Sequence, residues 1–437
     1  MPEEIIIVGA GASGLMIARN LLKAGKKVLV IEARAEAGGR IHTISSEEFS
    51  MHLEAGAEFV HGELPHTINL LKEAGLTYHA IEGELWNVRI GRHHKQAEFI
   101  QDHQLLLKKL KELQHDMSVA EFLDLHFKDE RYHGIRASIT GFVQGYDLAD
   151  VEKASAFSLR EEWLNGNEEE QFRIDNGYGA LIAFLKSDCE RKGCSFQFHT
   201  TIKKVEWKKN EVNLISADGR QYRAEKVVIT VPLGILQSNS SFKGHIEFDP
   251  RLPSILKAAK AMGYGEVIKF ILEFNEPFWE NKNVVGKKVV KNLGFLFSDA
   301  AIPTWWSQEP RKFPILTGWL GGPRVREMRS MNDDTLMQLA LDSLSLIFSI
   351  DHAVLNEKLV VWRVFNWAGD DFSLGGYAYN SLNRKNHLSV LVTPVESTIF
   401  FSGEALAEGP TLGTVEAALA SGLRTAKQIL ESPSQNT

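Results

Sequence analysis

Ile5-Ile6-Ile7-Val8-Gly9-Ala10-Gly11-Ala12-Ser13-Gly14, with a helix-forming stretch to Ala24 and then Val28-Leu29-Val30-Ile31-Glu32, decides the fold of this 437-residue chain. The run Ile5–Val8 reads as a buried strand. Gly9, Gly11 and Gly14 follow it in G-x-G-x-x-G spacing, and Gly25 stands where the helix can be capped. With 35 glycines in the chain, the spacing alone says little. Its placement says more: it leaves a strand, opens a helix, and meets an acid, Glu32, at the end of the next strand. Gly9 allows the tight turn, Gly11 lets the backbone approach a pyrophosphate, and Gly14 lets helix and strand pack closely. Ala12 and Ser13 begin the helix, whose free N–H groups and partial positive charge suit phosphate. Glu32 suits the hydroxyls of an unphosphorylated ribose, which disfavours NADP.

Working outward, Glu32-Ala33-Arg34 leads to Gly38-Gly39-Arg40. This second block resembles a signature of two-dinucleotide-binding-domain flavoenzymes. The resemblance implies FAD as cofactor, with the glycines over the pyrophosphate and Arg40 forking onto phosphate oxygens.

Composition bounds the alternatives. The chain is 44% hydrophobic and 24% charged, ordinary for a globular protein, and its length suggests two or three domains. A net charge of −7 without a long basic block argues against nucleic acid and is compatible with cationic substrates. Cys189 and Cys194 fit neither a disulfide framework nor a zinc site, and are expected to be reduced thiols in a cytoplasmic protein. No run of 18 apolar residues occurs. With the first strand starting so early no signal peptide is expected, and the tail after Leu430 is not expected to be a membrane anchor. No metal-ligand cluster is expected.

The fold expected is α/β: a Rossmann-like FAD/NAD(P)-binding domain with a mixed-sheet-plus-helices substrate domain. The FAD-binding domain is assigned to 1–82, 173–260 and 386–437, and the substrate domain to 83–172 and 261–385. The segment 83–172 is polar and helical in pattern, and Leu105–Leu113 within it reads as a solvated surface helix. Strand-like runs are expected at 195–198, 202–207, 212–216 and 227–230. The last ends at Thr230-Val231-Pro232, where a ligand can lie beside it. Aromatics crowd 270–319, with strands at 266–274, 293–298 and 314–320 and a helix over 333–349. Most of these rings belong to a core, and a few can line a cavity.

Five separated blocks together resemble the flavin-containing amine oxidases, the family of monoamine oxidases, polyamine oxidases and flavin-dependent histone lysine demethylases, with L-amino-acid oxidases as kin. The resemblance is weakest over 83–172. Gly56-Ala57-Glu58-Phe59-Val60-His61-Gly62 matches a segment that, in the family, runs beside the flavin ring, with His61 facing the substrate amine. Lys269, a single cation in the apolar run around Val267–Leu272, matches a lysine that holds a water against flavin N5. A buried lysine requires a partner. The block 362–377 implies Trp367 near the flavin and Tyr377 as an aromatic wall above it. Gly376 stands where monoamine oxidases carry the cysteine bonded to flavin, which implies a non-covalent cofactor. Gly403, Glu404, Thr414 and Val415 match the segment around the ribityl chain and the last helix. Thr414 replaces the second cage tyrosine of monoamine oxidases. Val205 matches a residue whose backbone contacts adenine.

The reaction implied is transfer of a hydride from the carbon beside an amine nitrogen to flavin N5. The imine then hydrolyses, and O2 is reduced to H2O2. Lys269, Tyr377 and His61 are the catalytic candidates; a small amine and O2 are the partners. An L-amino-acid oxidase would need a cation for the carboxylate, with Arg89, Arg92 and Arg173 as candidates. A desaturase or protoporphyrinogen-oxidase-like enzyme would show an apolar pocket without a cage. A flavin-bound scaffold without oxidase activity is the non-enzymatic alternative.

Overall fold

The computed structural model describes residues 3–45, 47–62, 64–89, 91–96, 103–165 and 170–432. Two large sheets organise them. The first has eight strands in the order 195–197, 28–31, 3–8, 221–229, 211–216, 202–208, 247–249, with 399–401 also on 221–229. Its centre is parallel: Ile5–Val8 pairs with Val28–Ile31 on one side and with Lys226–Ile229 on the other. Strand Gln221–Ile229 is long enough to serve two further partners along its other edge. Its first half pairs antiparallel with 212–215, and Val227–Ile229 pairs in parallel with Ile399–Phe401. Helices Ala12–Lys23 and Val415–Glu431 pack against each other on this sheet. Ile5–Val8, Val28–Ile31 and Val227–Ile229 at the parallel centre are short apolar runs because both faces are covered.

The second sheet has seven strands in the order 359–366, 267–274, 315–321, 304–306, 293–298, 84–89, 92–96. Its strand Val267–Phe274 is buried along its whole length, and helix Asp333–Phe348 contributes to the core beneath. Helices His103–Glu112, Val119–His126, His133–Gly145 and Ala156–Asn165 form a separate helical cluster.

The structure corrects the sequence reading in two places. Segment 83–172 is not wholly helical: it opens with the hairpin Glu84–Arg89 and Arg92–Gln96, which extends the second sheet. Only Val88 is buried in Glu84–Arg89, so the strand lacks a strong apolar alternation. Helix His103–Glu112 is not a free surface helix, since Leu106 and Leu110 are buried in the helical cluster while Leu105 is exposed. The boundary placed at 172/173 falls inside strand Gln171–Ile174, and the one at 385/386 falls inside helix Arg384–Val392. Residues 433–437, the end of the tail, lie outside the described residues.

Candidate active site

One cavity of about 2200 Å³ runs between the ends of the first sheet and the face of the second. At one end lies the turn from Val8 into helix Ala12–Lys23. Gly9 has φ +113°, and a Cβ on Gly14 would lie 2.0 Å from the Gly9 carbonyl oxygen. Glycine at both positions is therefore a steric requirement of the turn. Gly14 does not line the cavity; Gly9, Gly11, Ala12 and Ser13 do. The helix has Gly11 as its N-cap and no side-chain cap, so its first amides have no acceptor from that residue. Ser13 Oγ meets Ser402 Oγ at 2.9 Å.

Glu32 is buried at the end of its strand, accepting from the Ala10 and Arg34 amides at 2.8 Å each. Ala33 and Arg34 line the wall beside it, with Arg34 on Asp370 at 2.5 Å. Gly39 and Arg40 lie across from the fingerprint. Arg40 Nη1 donates to Glu404 at 2.7 Å and to the Gly376 carbonyl at 2.6 Å. Thr230, Pro232, Gly403, Thr414 and Val415 complete this part of the lining. Thr414 caps the last helix, accepting from the Ala417 amide at 3.2 Å. Val205 is the exception. It is fully buried in the core of the first sheet and does not reach the cavity; Thr200, Thr201 and Ile202 do.

A flavin dinucleotide fits these observations. The volume exceeds the usual range of about 300–1,000 Å³ for small-ligand pockets. An uncapped helix start provides N–H donors for pyrophosphate, and a buried carboxylate faces the cavity where a ribose would lie.

At the other end, the second sheet presents Lys269, which is 1% exposed. Its ammonium donates to Glu58 at 2.7 Å and to the Gly56 carbonyl at 3.2 Å, over the Trp306 ring. Glu58 also accepts from Arg173 at 2.8 Å and from the Trp306 indole at 3.1 Å. Burial alone would raise the Glu58 carboxyl, but Lys269 and Arg173 hold it below the usual carboxylate range. The partner that a buried lysine demands is thus a carboxylate three residues before His61. Phe59 packs by its edge on His61, with ring centroids 6.2 Å apart. Burial pushes the His61 imidazole down to about 4. Ala57 lines the same wall, and Trp367 donates to the Ala55 carbonyl at 2.9 Å.

Tyr377 lines the cavity and stacks on Trp319, with centroids 6.5 Å apart and planes 23° from parallel. Trp319 in turn lies 6.0 Å from Trp306. The aromatic wall is thus a pair, Tyr377 with Trp319. The sequence marked Trp319 only as one ring in an aromatic-rich stretch, and β-pairing of Lys269 with Trp319 is what brings it here. Tyr377 donates its hydroxyl to the Tyr146 carbonyl, and burial keeps the phenol well above its ordinary value.

Of the three arginines considered for a substrate carboxylate, Arg173 is committed to Glu58 and to the carbonyls of Ser307 and Glu309. Arg92 does not line the cavity; Arg89 does and donates to Ser138 at 3.3 Å. Among the described residues no group of three or more His, Cys, Asp or Glu is placed to hold a metal, and no single helix is long and apolar enough to cross a membrane.

A Rossmann-like dinucleotide-binding sheet joined to a sheet-and-helix domain, with one cavity between them, defines a two-domain α/β flavoprotein. The solved structures similar to it include putrescine oxidase bound to putrescine, with a TM-score of 0.78 and 21% identity over 98% of this chain and 99% of that one. Cyclohexylamine oxidase from Brevibacterium oxydans IH-35A matches with a TM-score of 0.79 and 20% identity over 99% of each chain. The family model described as flavin containing amine oxidoreductase matches residues 12–430, and the chain belongs to that family. It is 26% identical to polyamine oxidase 4 of Oryza sativa subsp. japonica over 98% of this chain and 88% of that protein. It is also 26% identical to human lysine-specific histone demethylase 2, over 98% of this chain; it spans about half, 53%, of the demethylase.

Proposed function

We propose that the protein is an FAD-dependent amine oxidase that binds its flavin without a covalent bond. The observation that carries the reading is the convergence of Lys269, Glu58 and the Tyr377–Trp319 wall on one cavity with the dinucleotide fingerprint. Bound there, the flavin supplies the acceptor for a hydride from the carbon beside the amine nitrogen, and O2 restores it with release of H2O2. The chain's own residues position and desolvate the amine. Tyr377 and Trp319 offer π faces that orient an amine and exclude water. Lys269 presents a positive charge fixed by Glu58 at the cavity wall, where negative charge that develops in the reaction is stabilised. His61 is neutral at pH 7 and can accept a hydrogen bond from the substrate without competing charge.

Several features support the finer points. No cysteine lines the cavity: Cys189 and Cys194 are buried in the core behind the first helix, which favours a non-covalent flavin. The low cysteine content, two in the whole chain, favours a cytoplasmic setting. The commitment of Arg173 to Glu58 disfavours an amino-acid substrate, and the aromatic pair disfavours a desaturase. Purified protein is expected to be yellow and to release peroxide with at least one class among polyamines, monoamines and L-amino acids. Silence across all three classes in a flavin-loaded protein overturns the reading in favour of a desaturase or a scaffold.

A further inference from the structure

The turn that follows helix His133–Gly145 is bound to the aromatic wall at three points, and the third is a strained leucine. Trp319 donates its indole N–H to the Gly145 carbonyl at 2.8 Å, and Tyr377 donates its hydroxyl to the Tyr146 carbonyl. Leu148 comes next. It is 1% exposed and has φ +57°, in the left-handed region that a bulky side chain rarely occupies. Three glycines from three other segments surround it. A Cβ on Gly265 would overlap the Leu148 Cβ, one on Gly321 would overlap Cδ2, and one on Gly376 would lie 2.6 Å from Cδ1. None of these glycines has a positive φ, so what they supply is room rather than conformational freedom. One side chain fills that room. Leu148 packs there with Val267 and Trp367, and Trp319 and Tyr377 lie against the same cluster. Leu148 does not itself line the cavity, whereas Val267, Trp319, Trp367, Gly376 and Tyr377 do.

We propose that Leu148 is the positioning residue of the aromatic wall: wedged into the notch of Gly265, Gly321 and Gly376, it sets the spacing of Tyr377 and Trp319 and so the width of the slot that an alkylammonium enters. The inference rests on the amine-oxidase reading above and adds what holds its aromatic wall in place. Backbone strain persists only where the surrounding structure over-determines it. Here the surroundings are the segments that carry the wall. Gly321 ends the strand that bears Trp319, and Gly376 directly precedes Tyr377. Gly265 ties down the second of these segments from both sides, donating to the Tyr377 carbonyl and accepting from the Gly376 amide at 2.8 Å each. A leucine close-packed among three segments holds them at a fixed separation. Its truncation leaves a void behind the two rings, into which they relax. Cation–π attraction falls with distance from the ring, so the size of the cation that the wall prefers reports the width of the slot.

The test is calorimetric titration of the flavin-loaded protein with tetramethylammonium and tetraethylammonium. Neither has a nitrogen lone pair or N–H, so binding is read apart from turnover. Leu148→Ala should weaken tetramethylammonium binding by about 2- to 30-fold, the span of one cation–π contact, and tetraethylammonium binding less, because the relaxed slot is wider. Tyr377→Leu should weaken both, which places the probes at the wall. Gly321→Ala lies outside the cavity lining and should also weaken tetramethylammonium binding; combined with Leu148→Ala its effect should shrink, because loss of Cδ2 frees the space that the new methyl needs. If Leu148→Ala fails to fold, Leu148→Gly decides, since glycine is at ease at φ +57° and also removes the wedge. A leucine that serves only the core would lower the melting temperature on truncation and leave the affinities of the folded protein unchanged. That result overturns the inference, as do equal losses for the two cations, binding indifferent to Tyr377→Leu, or no binding by the wild type. Peroxide release is followed in parallel. The expected cation results without peroxide from any amine sink the oxidase reading and keep the wedge; peroxide release with cation affinities unmoved by Leu148→Ala does the reverse.

Discussion

Glu58→Gln is the substitution that tests how the site is held together. The carboxylate accepts from Lys269 at 2.7 Å, Arg173 at 2.8 Å and Trp306 at 3.1 Å, and all four side chains are nearly excluded from solvent. Glutamine keeps the shape, removes the charge and turns one acceptor into a donor. Each charge-assisted hydrogen bond is worth about 1.5–3 kcal/mol, and breaking a buried ion pair by neutralising one partner costs about 3–5 kcal/mol. We expect a loss near the upper range, because two cations are stranded. The sign of the pH dependence follows from the lowered Glu58 carboxyl. Its stabilisation is complete above the unfolded-state value of about 4.3 and is lost as pH falls through the lower folded-state value. The gap between wild type and Glu58→Gln should thus be widest above pH 5 and close on acidification. Guanidinium unfolding of the flavin-loaded protein, read by tryptophan emission and flavin fluorescence together, measures the gap and checks that one transition is followed. Lys269→Met in the same background should cost less than it does alone, because one stranded cation is then gone. A gap under about 1 kcal/mol, or one independent of pH, refutes the argument that Glu58 anchors both cations.

Three further outcomes are expected. Gly14→Ala places a methyl group 2.0 Å from the Gly9 carbonyl oxygen, so the turn must open; the purified variant should contain little flavin by absorbance ratio, and normal content would contradict the geometry. Burial lowers His61 to about 4, so protein stability should decline as pH falls from about 6.5 towards 4, since the unfolded chain binds the extra proton there. His61→Gln should flatten that part of the stability curve, and an unaltered slope would count against the burial argument. Acid precipitation should leave the yellow colour in the supernatant; colour retained in the pellet would indicate a covalent bond.

The nucleotide half of the molecule was the more legible because local sequence there dictates local geometry. Gly9, Gly11, Glu32 and Arg40 act within one β-α-β unit and its following loop, and all four line the cavity. Around Val205 a strand pattern shows where a strand lies but not which residue faces the cavity. In the meander 202–216 the cavity is reached by Ile202, while Val205 points into the core. Trp319 and Glu58 as the partner of Lys269 were hidden for another reason. Each depends on contacts between segments far apart in sequence, such as 211 positions between Glu58 and Lys269. The hairpin Glu84–Arg89 and Arg92–Gln96 was missed because its sheet partner, Leu293–Ser298, stabilises strands whose own pattern is weak.

The polar bonds that cross between the two sheets explain why neither half presents the site alone. Arg34 reaches Asp370, Arg40 reaches the Gly376 carbonyl, Lys269 reaches Glu58 and Trp367 reaches the Ala55 carbonyl. In each, one partner belongs to the chain before residue 60 and the other to the chain after 265. Several of these groups are buried, so they are satisfied only when both sheets are docked. These bonds therefore tie the cavity, its aromatic wall and its fixed cation to the domain interface. A cofactor lying along that interface would stabilise the docked state by mass action, in proportion to its occupancy. Substitutions at these crossing bonds should accordingly lower flavin affinity and stability together.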